Sequence, residues 1–241
     1  KLVLACGGDG TIHEVMNGMV PGDAVLGVLP GGTTNIFARE LGMPLDPLRA
    51  ARVIHRWTPR RIAVGRATFK NGGQSSAHFL CLAGVGFDAH VIHELSRKMA
   101  VKFGVGAYVA EAVRQVFCYS YPAISFRANG KEIIGTYGVA QRTQRYAGWL
   151  HLAPEASLFK DQISLCVFKG SGRMRYAGYA AAIVARRHTR LNGVATMETR
   201  KVECAAVGPS TPVYLELDGE FAGQLPATFE IVPDALTVLV P

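Results

Sequence analysis

Two glycine-rich turns and four acidic residues are the groups in this chain whose types and spacing could do chemistry. The turns are Cys6-Gly7-Gly8-Asp9-Gly10-Thr11 and Pro30-Gly31-Gly32-Thr33-Thr34-Asn35; the acids are Asp9, Asp161, Asp218 and Glu220. Each turn follows an apolar run (Leu2 to Ala5, Val25 to Leu29) and precedes a helical pattern, so each reads as strand, tight loop, helix. A glycine loop opening onto a helix N-terminus gathers unpaired N–H groups and the positive dipole end in one place. Glycine lets a phosphate reach that backbone, where a β-carbon would hold it away. Two such loops at the ends of neighbouring strands form one crevice, the usual ligand position in open α/β sheets. The pair reads as a polyphosphate site.

The positioning elements follow from local signals. Thr11 and Glu14 have capping-box spacing, and Ile12, Val15, Met16 and Met19 give an apolar face until Asn17-Gly18 and Pro21-Gly22 break it. Thr33, Thr34 and Asn35 are candidate caps for a helix from Ile36 to Leu41, ended by Gly42 and Pro44. Another helical pattern covers Asp46 to Trp57. The pattern then turns to period two: Ile62 to Phe69 and Ala77 to Leu82 flank Lys70-Asn71-Gly72-Gly73 and predict a hairpin. A domain boundary is placed near residue 58. Helices are expected over 88–99 and 106–118, with Arg97, Lys98 and Lys102 beside Met99, Val101 and Phe103 between them. That mixture suits a lipid surface, but is more often a solvated helix face. Strands are expected at Pro122 to Ala128, Glu132 to Ala140 (joined by an Asn129-Gly130 type I′ turn), Ile163 to Phe168, Val202 to Val207, Val213 to Leu217, Thr228 to Val232 and Leu236 to Val240. One helix, Met174 to Arg187, interrupts them. This composition predicts a sandwich-like second domain.

The 241 residues carry a formal charge of +8, with 49% hydrophobic and 18% charged residues. That is a globular chain whose basic balance favours anionic partners. The basic residues are scattered, without a recognition motif, which disfavours nucleic acid. The longest apolar stretch, around Ala177 to Ala185, is too short to span a bilayer. The five cysteines are widely spaced and mostly flanked by apolar residues, so buried, reduced thiols are expected rather than disulfides or zinc. His90 and His93 could share a helix face, but no third ligand suggests zinc.

On local grounds the acids keep alternative readings. Asp9 would repel a phosphate unless Mg²⁺ or water stands between them; otherwise it is an Asx turn. Leu217-Asp218-Gly219-Glu220, lying between two strand patterns, is by itself an ordinary hairpin turn.

Gly7-Gly8-Asp9-Gly10-Thr11 with Glu14 and Asn17-Gly18, followed by Leu29-Pro30-Gly31-Gly32-Thr33-Thr34-Asn35-Ile36-Phe37-Ala38-Arg39, resembles the diacylglycerol kinase catalytic family. NAD kinases share the first motif and not the second. Gly-Phe-Asp-Ala at residues 86–89, Lys102, Gly104, Ala107 and Tyr108, and Asp218-Gly219-Glu220 extend the resemblance along the chain. It implies a fold with a truncated NAD-kinase-like α/β nucleotide-binding domain (1–58), a β-rich, sandwich-like lipid-substrate domain (59–220), and C-terminal strands (221–241) returning to the first domain. It implies transfer of the γ-phosphoryl of ATP, with Mg²⁺, to the hydroxyl of a diacylglycerol-like lipid. Glu220 would accept the hydroxyl proton, with Asp218 and Asp9 as its catalytic companions. The nucleotide would lie against Gly7, Gly8, Asp9 and Gly10 of the first loop, Thr11, Ile12 and His13 beyond it, and Thr33 of the second. A structural Mg²⁺ would take the Asp161 side chain and the carbonyls of Leu158 and Ile163.

The chain departs from the family at Gln162, where glycine is usual, and at Gln141 to Gly148, where the family has an Asn and a glycine triplet. A left-handed Gln162 would cost on the order of 1 kcal/mol. The chain begins inside a strand, without the family's preceding Asn-Pro nucleotide motif, so an N-terminally incomplete chain with weak nucleotide binding is expected. Cytoplasmic location, peripheral contact with an anionic membrane and an open choice between monomer and homodimer complete the picture. The rival readings are a soluble-acceptor kinase related to NAD kinase and a non-catalytic lipid- or nucleotide-binding module.

Overall fold

The computed structural model describes residues 1–70, 73–95, 105–208 and 212–241. The basic cluster at Arg97, Lys98 and Lys102 and the Asn71-Gly72 centre of the hairpin turn lie outside the described residues.

The two leading apolar runs become parallel strands β1 (Leu2–Gly7) and β2 (Val25–Pro30), in register from Leu2 opposite Val25 to Gly7 opposite Pro30. Both strands therefore end at one level, and their glycine loops leave side by side. The first loop enters α1 (Asp9–Met19), the second α2 (Ile36–Glu40). α1 starts two residues before Thr11, with Gly8 as N-cap and no side-chain cap, so the Thr11–Glu14 capping box does not form. Nor does Asn17-Gly18 end it. Asp46 caps α3 (Pro47–Val53) by accepting the Arg49 N–H at 2.6 Å, and a short 3₁₀ turn carries the chain to Arg56. Ile12 and Met16 of α1, Phe37 of α2 and Ala50 of α3 are buried with Leu26 and Val28 of β2 in one core.

Beyond this come β3 (Thr58–Lys70), β4 (Gln74–Phe79), β5 (Leu82–Gly86), α4 (Phe87–Glu94) and α5 (Val105–Cys118). Then follow β6 (Ile124–Ala128), β7 (Lys131–Gly135), β8 (Tyr137–Gln141), the short pair β9 (Arg145–Tyr146) and β10 (Leu150–His151), and β11 (Ile163–Phe168). The chain closes with α6 (Arg173–Val184), β12 (Val194–Thr199), β13 (Lys201–Ala206), β14 (Tyr214–Leu217) and β15 (Glu220–Val240). The Lys70 turn joins an antiparallel pair, β3 and β4, as its pattern predicts. Asn129 and Gly130 both have positive φ (50° and 70°), the signature of the type I′ turn between β6 and β7.

The long strand β15 holds the architecture together. It pairs antiparallel with β14, β13 and β3 along its length, and near its end Thr237 and Val238 pair in parallel with Val25 and Leu26 of β2. The sequence reads two strands here, Thr228 to Val232 and Leu236 to Val240, with Pro226 before the first and Pro233 between them. The structure absorbs both prolines at register shifts, between Gln224 and Ala227 and between Val232 and Leu236. Conversely, the run Glu132 to Ala140 is two strands, broken where Thr136 turns its N–H to Phe168 O at 3.0 Å. β12 pairs with β11 and is absent from the sequence reading, its Ala, Met and Glu being weak strand formers. Phe79, Phe126, Phe229 and Val202 are fully buried in the sandwich core, with Phe79 edge-on to Phe229 at 6.1 Å. Cys81, Cys166 and Cys204 are buried free thiols, whereas Cys6 and Cys118 are exposed. No helix among the described residues is long and apolar enough to cross a membrane.

Candidate active site

The two glycine loops touch each other. The Gly31 N–H donates to Gly7 O at 2.8 Å, and a β-carbon on Gly32 would stand 2.4 Å from the Gly8 Cα. Glycine at 32, and less tightly at 8, thus serves loop-against-loop packing, a reason other than the phosphate approach read from sequence. Gly10 faces the cleft instead, where its β-carbon would lie 3.1 Å from a Glu220 carboxylate oxygen.

Asp9 makes a contact across the cleft that its sequence does not suggest. It reaches across to the second loop and accepts the Ile36 N–H at 3.0 Å and the Phe37 N–H at 3.2 Å, capping α2. The N-terminus of α2 is therefore already satisfied by a carboxylate and is not a second phosphate cradle. Burial pushes the Asp9 pKa up, against the two amide hydrogen bonds. Asn35, in the left-handed region at φ 48°, pins Gly32 by accepting its N–H at 3.0 Å and donating to its carbonyl at 2.8 Å. Its side chain caps no helix amide; it braces the tip that carries Thr33 and Thr34 into the cleft.

Asp218 is the junction of the site. One carboxylate oxygen accepts the Cys81 and Leu82 N–H groups at 2.7 and 3.0 Å; the other accepts Leu80 N–H at 2.8 Å and His13 Nδ1–H at 3.0 Å. Its side chain is only 3% exposed. These four donors fix the β14–β15 turn against the β4–β5 corner and against α1. Burial opposes a charge on His13, but Asp218, aided by Glu14 and Glu220, outweighs it and raises the imidazole pKa. Asn17 completes the tie by accepting the His78 N–H at 2.7 Å, donating to His78 O at 3.0 Å, and lying 3.3 Å from His13 Nε2. Asn17 is a positioning residue that the sequence reading took for a helix breaker.

Of the residues expected at nucleotide, Asp9, Gly10 and Thr33 line the cleft. Ile12 gives its side chain to the core and its N–H to Gly8 O. Thr11 lies against Gly7, and the His13 ring faces Asp218 and Asn17. Glu220 is exposed at the cleft wall and, among the described residues, makes no ion pair.

The cleft, about 550 Å³, has a polar floor; the sequence reading names Asp88 and Tyr108 in the family resemblance but gives them no role, and it does not find Glu216. Asp88 accepts the Tyr108 hydroxyl, which lies 2.8 Å from the Tyr146 hydroxyl. Glu216, fully buried between Leu215 and Leu217, accepts the Gly219 N–H at 2.7 Å with one oxygen and leaves the other unpartnered. Burial, then the nearby Asp88, pushes its pKa well above the ordinary carboxylate range. The signal was an acid inside a strand whose neighbours are all apolar. His90 and His93 stack against Tyr214.

The candidate metal residues lie apart from these. Leu158 and Ile163 are buried and Asp161 is half-buried, but Leu158 O already accepts a hydrogen bond from Arg142 at 2.8 Å. Among the described residues, no three His, Cys, Asp or Glu side chains cluster as a metal site.

An α/β lobe and a β-sandwich sharing one strand and one acid-lined cleft define a kinase fold of the NAD-kinase type. Residues 1–67 match the diacylglycerol kinase catalytic domain, and residues 82–240 match the YegS C-terminal NAD kinase beta sandwich-like domain. A diacylglycerol kinase of Bacillus subtilis is 30% identical over the whole chain, which covers 78% of that protein. The crystal structure of a Bacillus anthracis diacylglycerol kinase superposes with a TM-score of 0.76 at 21% identity, over the whole chain and 77% of its own. Yeast NADH kinase superposes with a TM-score of 0.55 at 11% identity, over the whole chain and 61% of its own. The chain belongs to the diacylglycerol kinase catalytic-domain family and is an ATP-dependent lipid kinase.

Two stability predictions follow from this geometry. Asp9→Ala strips the cap from α2 and should cost about 0.5–2 kcal/mol, read as a fall in denaturant midpoint without a change in slope. For Glu216, the folded chain holds a proton that the unfolded chain releases above its ordinary pKa. Its stabilising contribution is thus complete below that value and is lost as pH rises through the raised folded pKa. Glu216→Gln mimics the protonated acid, so the Tm of the variant relative to wild type should climb between pH 5 and pH 8, a window of order set by ordinary carboxylate pKa values. A difference that stays flat across that window would exclude a protonated Glu216.

Proposed function

We propose that this protein transfers the γ-phosphoryl group of ATP to the hydroxyl of a diacylglycerol-like lipid, with Glu220 taking the hydroxyl proton. The observation that carries the reading is the position of Glu220. It is the exposed carboxylate of the cleft and, among the described residues, the cleft acid that accepts no hydrogen bond and makes no ion pair, and it stands against Gly10 at the start of α1. A base must lie within hydrogen-bond reach of the attacking hydroxyl, and the phosphoryl donor must lie in line beyond it. The first turn of α1, whose N-cap Gly8 makes no side-chain cap, would offer its amides and the positive dipole end to phosphate oxygens. Thr33 and Thr34 add hydroxyls from the opposite loop. Mg²⁺ bound with ATP supplies charge neutralisation on the phosphates. Phosphoryl transfer asks a protein mainly for alignment and electrostatic stabilisation, and a cleft built from rigidly tied loops provides both.

Asp218 and Asp9 act through position, since their carboxylate oxygens are engaged by backbone amides. The floor formed by Asp88, Tyr108 and Glu216 would meet the polar oxygens of the lipid head. Ile92, Leu95 and Phe221 on the cleft wall would meet its chains. Peripheral membrane contact is supported by α5, where Val109, Val113 and Phe117 recur at i, i+4 and i+8 and are each at least half exposed. Arg173 lies over Phe117, so charge and apolar surface adjoin.

Transfer of labelled γ-phosphate from Mg-ATP to diacylglycerol, other lipid alcohols and NAD⁺ in mixed micelles tests the acceptor and the base together. Glu220→Gln should lower turnover by about 10²–10⁴-fold with an unchanged fold. Wild-type rates in that variant would remove Glu220 from the chemistry, and label entering NAD⁺ alone would establish the soluble-acceptor reading. Separately, Val113→Asp with Phe117→Asp should reduce co-sedimentation with anionic vesicles while leaving turnover of a micellar short-chain acceptor intact. Equal co-sedimentation would move the membrane contact to another face.

A further inference from the structure

Arg142 is the largest side chain in the protein with essentially no exposed surface. It follows β8, where its own N–H donates to Cys81 O at 2.8 Å. One guanidinium nitrogen donates to Leu158 O at 2.8 Å and to Ala63 O at 2.9 Å, and the other reaches Lys160 O at 3.3 Å. A single side chain thus gathers carbonyls from β3 and from the loop that leads into β11. Those carbonyls face inward with the half-buried Asp161 close by, and Asp161 is the leading group that stabilises the Arg142 charge. A guanidinium stays protonated in proteins, so Arg142 brings a fixed positive charge to these carbonyls.

Converging carbonyls beside a carboxylate are what a hard cation requires. Here the cation is supplied by the chain. The Leu158 carbonyl expected to ligate Mg²⁺ is engaged by Arg142, and a divalent ion on that oxygen would sit against a buried positive charge. The loop also follows its own path. Gln162 is not among the residues with positive φ, so the left-handed glycine conformation that its position suggested is not used. We propose that Arg142 is a built-in structural cation that takes the place of a divalent metal at Leu158, Asp161 and Ile163. The lobe built on β8 and β11 then folds without a bound metal, and any Mg²⁺ the protein uses arrives with its nucleotide.

The test uses chelator-dialysed protein without nucleotide, followed by thermal unfolding and by Mn²⁺ binding read from the free-ion EPR signal. Wild type should show a Tm that Mg²⁺ does not shift, and no Mn²⁺ bound in a way that depends on Asp161. Arg142→Ala should lower Tm by roughly 6 °C or more, as expected when three buried carbonyls lose their donor. Low concentrations of guanidinium ion should restore part of that loss. Arg142→Lys, which keeps charge without the planar fork, should fall between the two. A Mg²⁺-dependent rise in the wild-type Tm, or one tightly bound Mn²⁺ per chain, that Asp161→Asn abolishes would overturn the proposal even if Arg142→Ala fails to fold. A metal effect that survives Asp161→Asn places the ion elsewhere and supports it.

Discussion

The Asp218 carboxylate is the interaction on which the rest of the site depends. It collects three consecutive backbone amides from the β4–β5 corner and the imidazole of an α1 histidine. Each unmade bond at this depth would leave a buried donor unsatisfied at about 1–3 kcal/mol, so the arrangement is stiff. Its consequence is geometric. Glu220 lies two residues on, and its distance from the first glycine loop is set by how firmly Asp218 holds the turn to α1. Asp218 itself sits at φ 51°, a left-handed conformation held by those four partners, and Gly219 follows at φ 90°.

The same principle joins the two loops. Asp9 leaves one loop to cap the helix of the other, Gly31 donates to Gly7, and Gly8 and Gly32 approach too closely for any side chain. The loops therefore move as one unit. A cradle for a polyanion works best when its donors need no reorganisation, and mutual bracing supplies that. The glycines act on the loops themselves, by letting the two backbones interlock.

What was legible in the sequence was local. Strand–loop–helix at residues 2–19 and 25–40, the Asn129-Gly130 turn and the β3–β4 hairpin each depend on a few neighbouring residues, and each formed. The failures share a cause. Thr11 looks like a cap only if the helix begins there, and the Gly8 backbone begins it earlier. Asp218 finds its amides 136 to 138 residues away, and Arg142 finds Ala63 O 79 residues away. No spacing rule encodes such pairs. β15 reads as two strands with Pro233 between them, whereas its neighbours tolerate a bulge there. The family resemblance pointed to Glu220, the Gly-Phe-Asp-Ala stretch and Tyr108, but not to the hydrogen bond that Tyr108 donates to Asp88.

Charge presents the remaining difficulty. A protein with a net charge of +8 lines the cleft that must admit a polyphosphate with five acidic side chains: Asp9, Asp88, Glu216, Asp218 and Glu220. The structure resolves this by giving four of them a fixed partner or a proton. Asp9 is held by the start of α2 and Asp218 by three amides and His13. Asp88 takes the Tyr108 hydroxyl, and burial pushes its pKa upward; Glu216 is pushed further, toward the neutral acid. A carboxylate satisfied by amide donors projects a weaker field than a free one, and a protonated one projects almost none. Of the five, Glu220 alone is exposed and, among the described residues, takes neither a hydrogen bond nor an ion pair. On the proposed function, the acids that surround Glu220 are not competitors for the role of base; their fixed partners and their burial would let one free carboxylate stand beside bound phosphate.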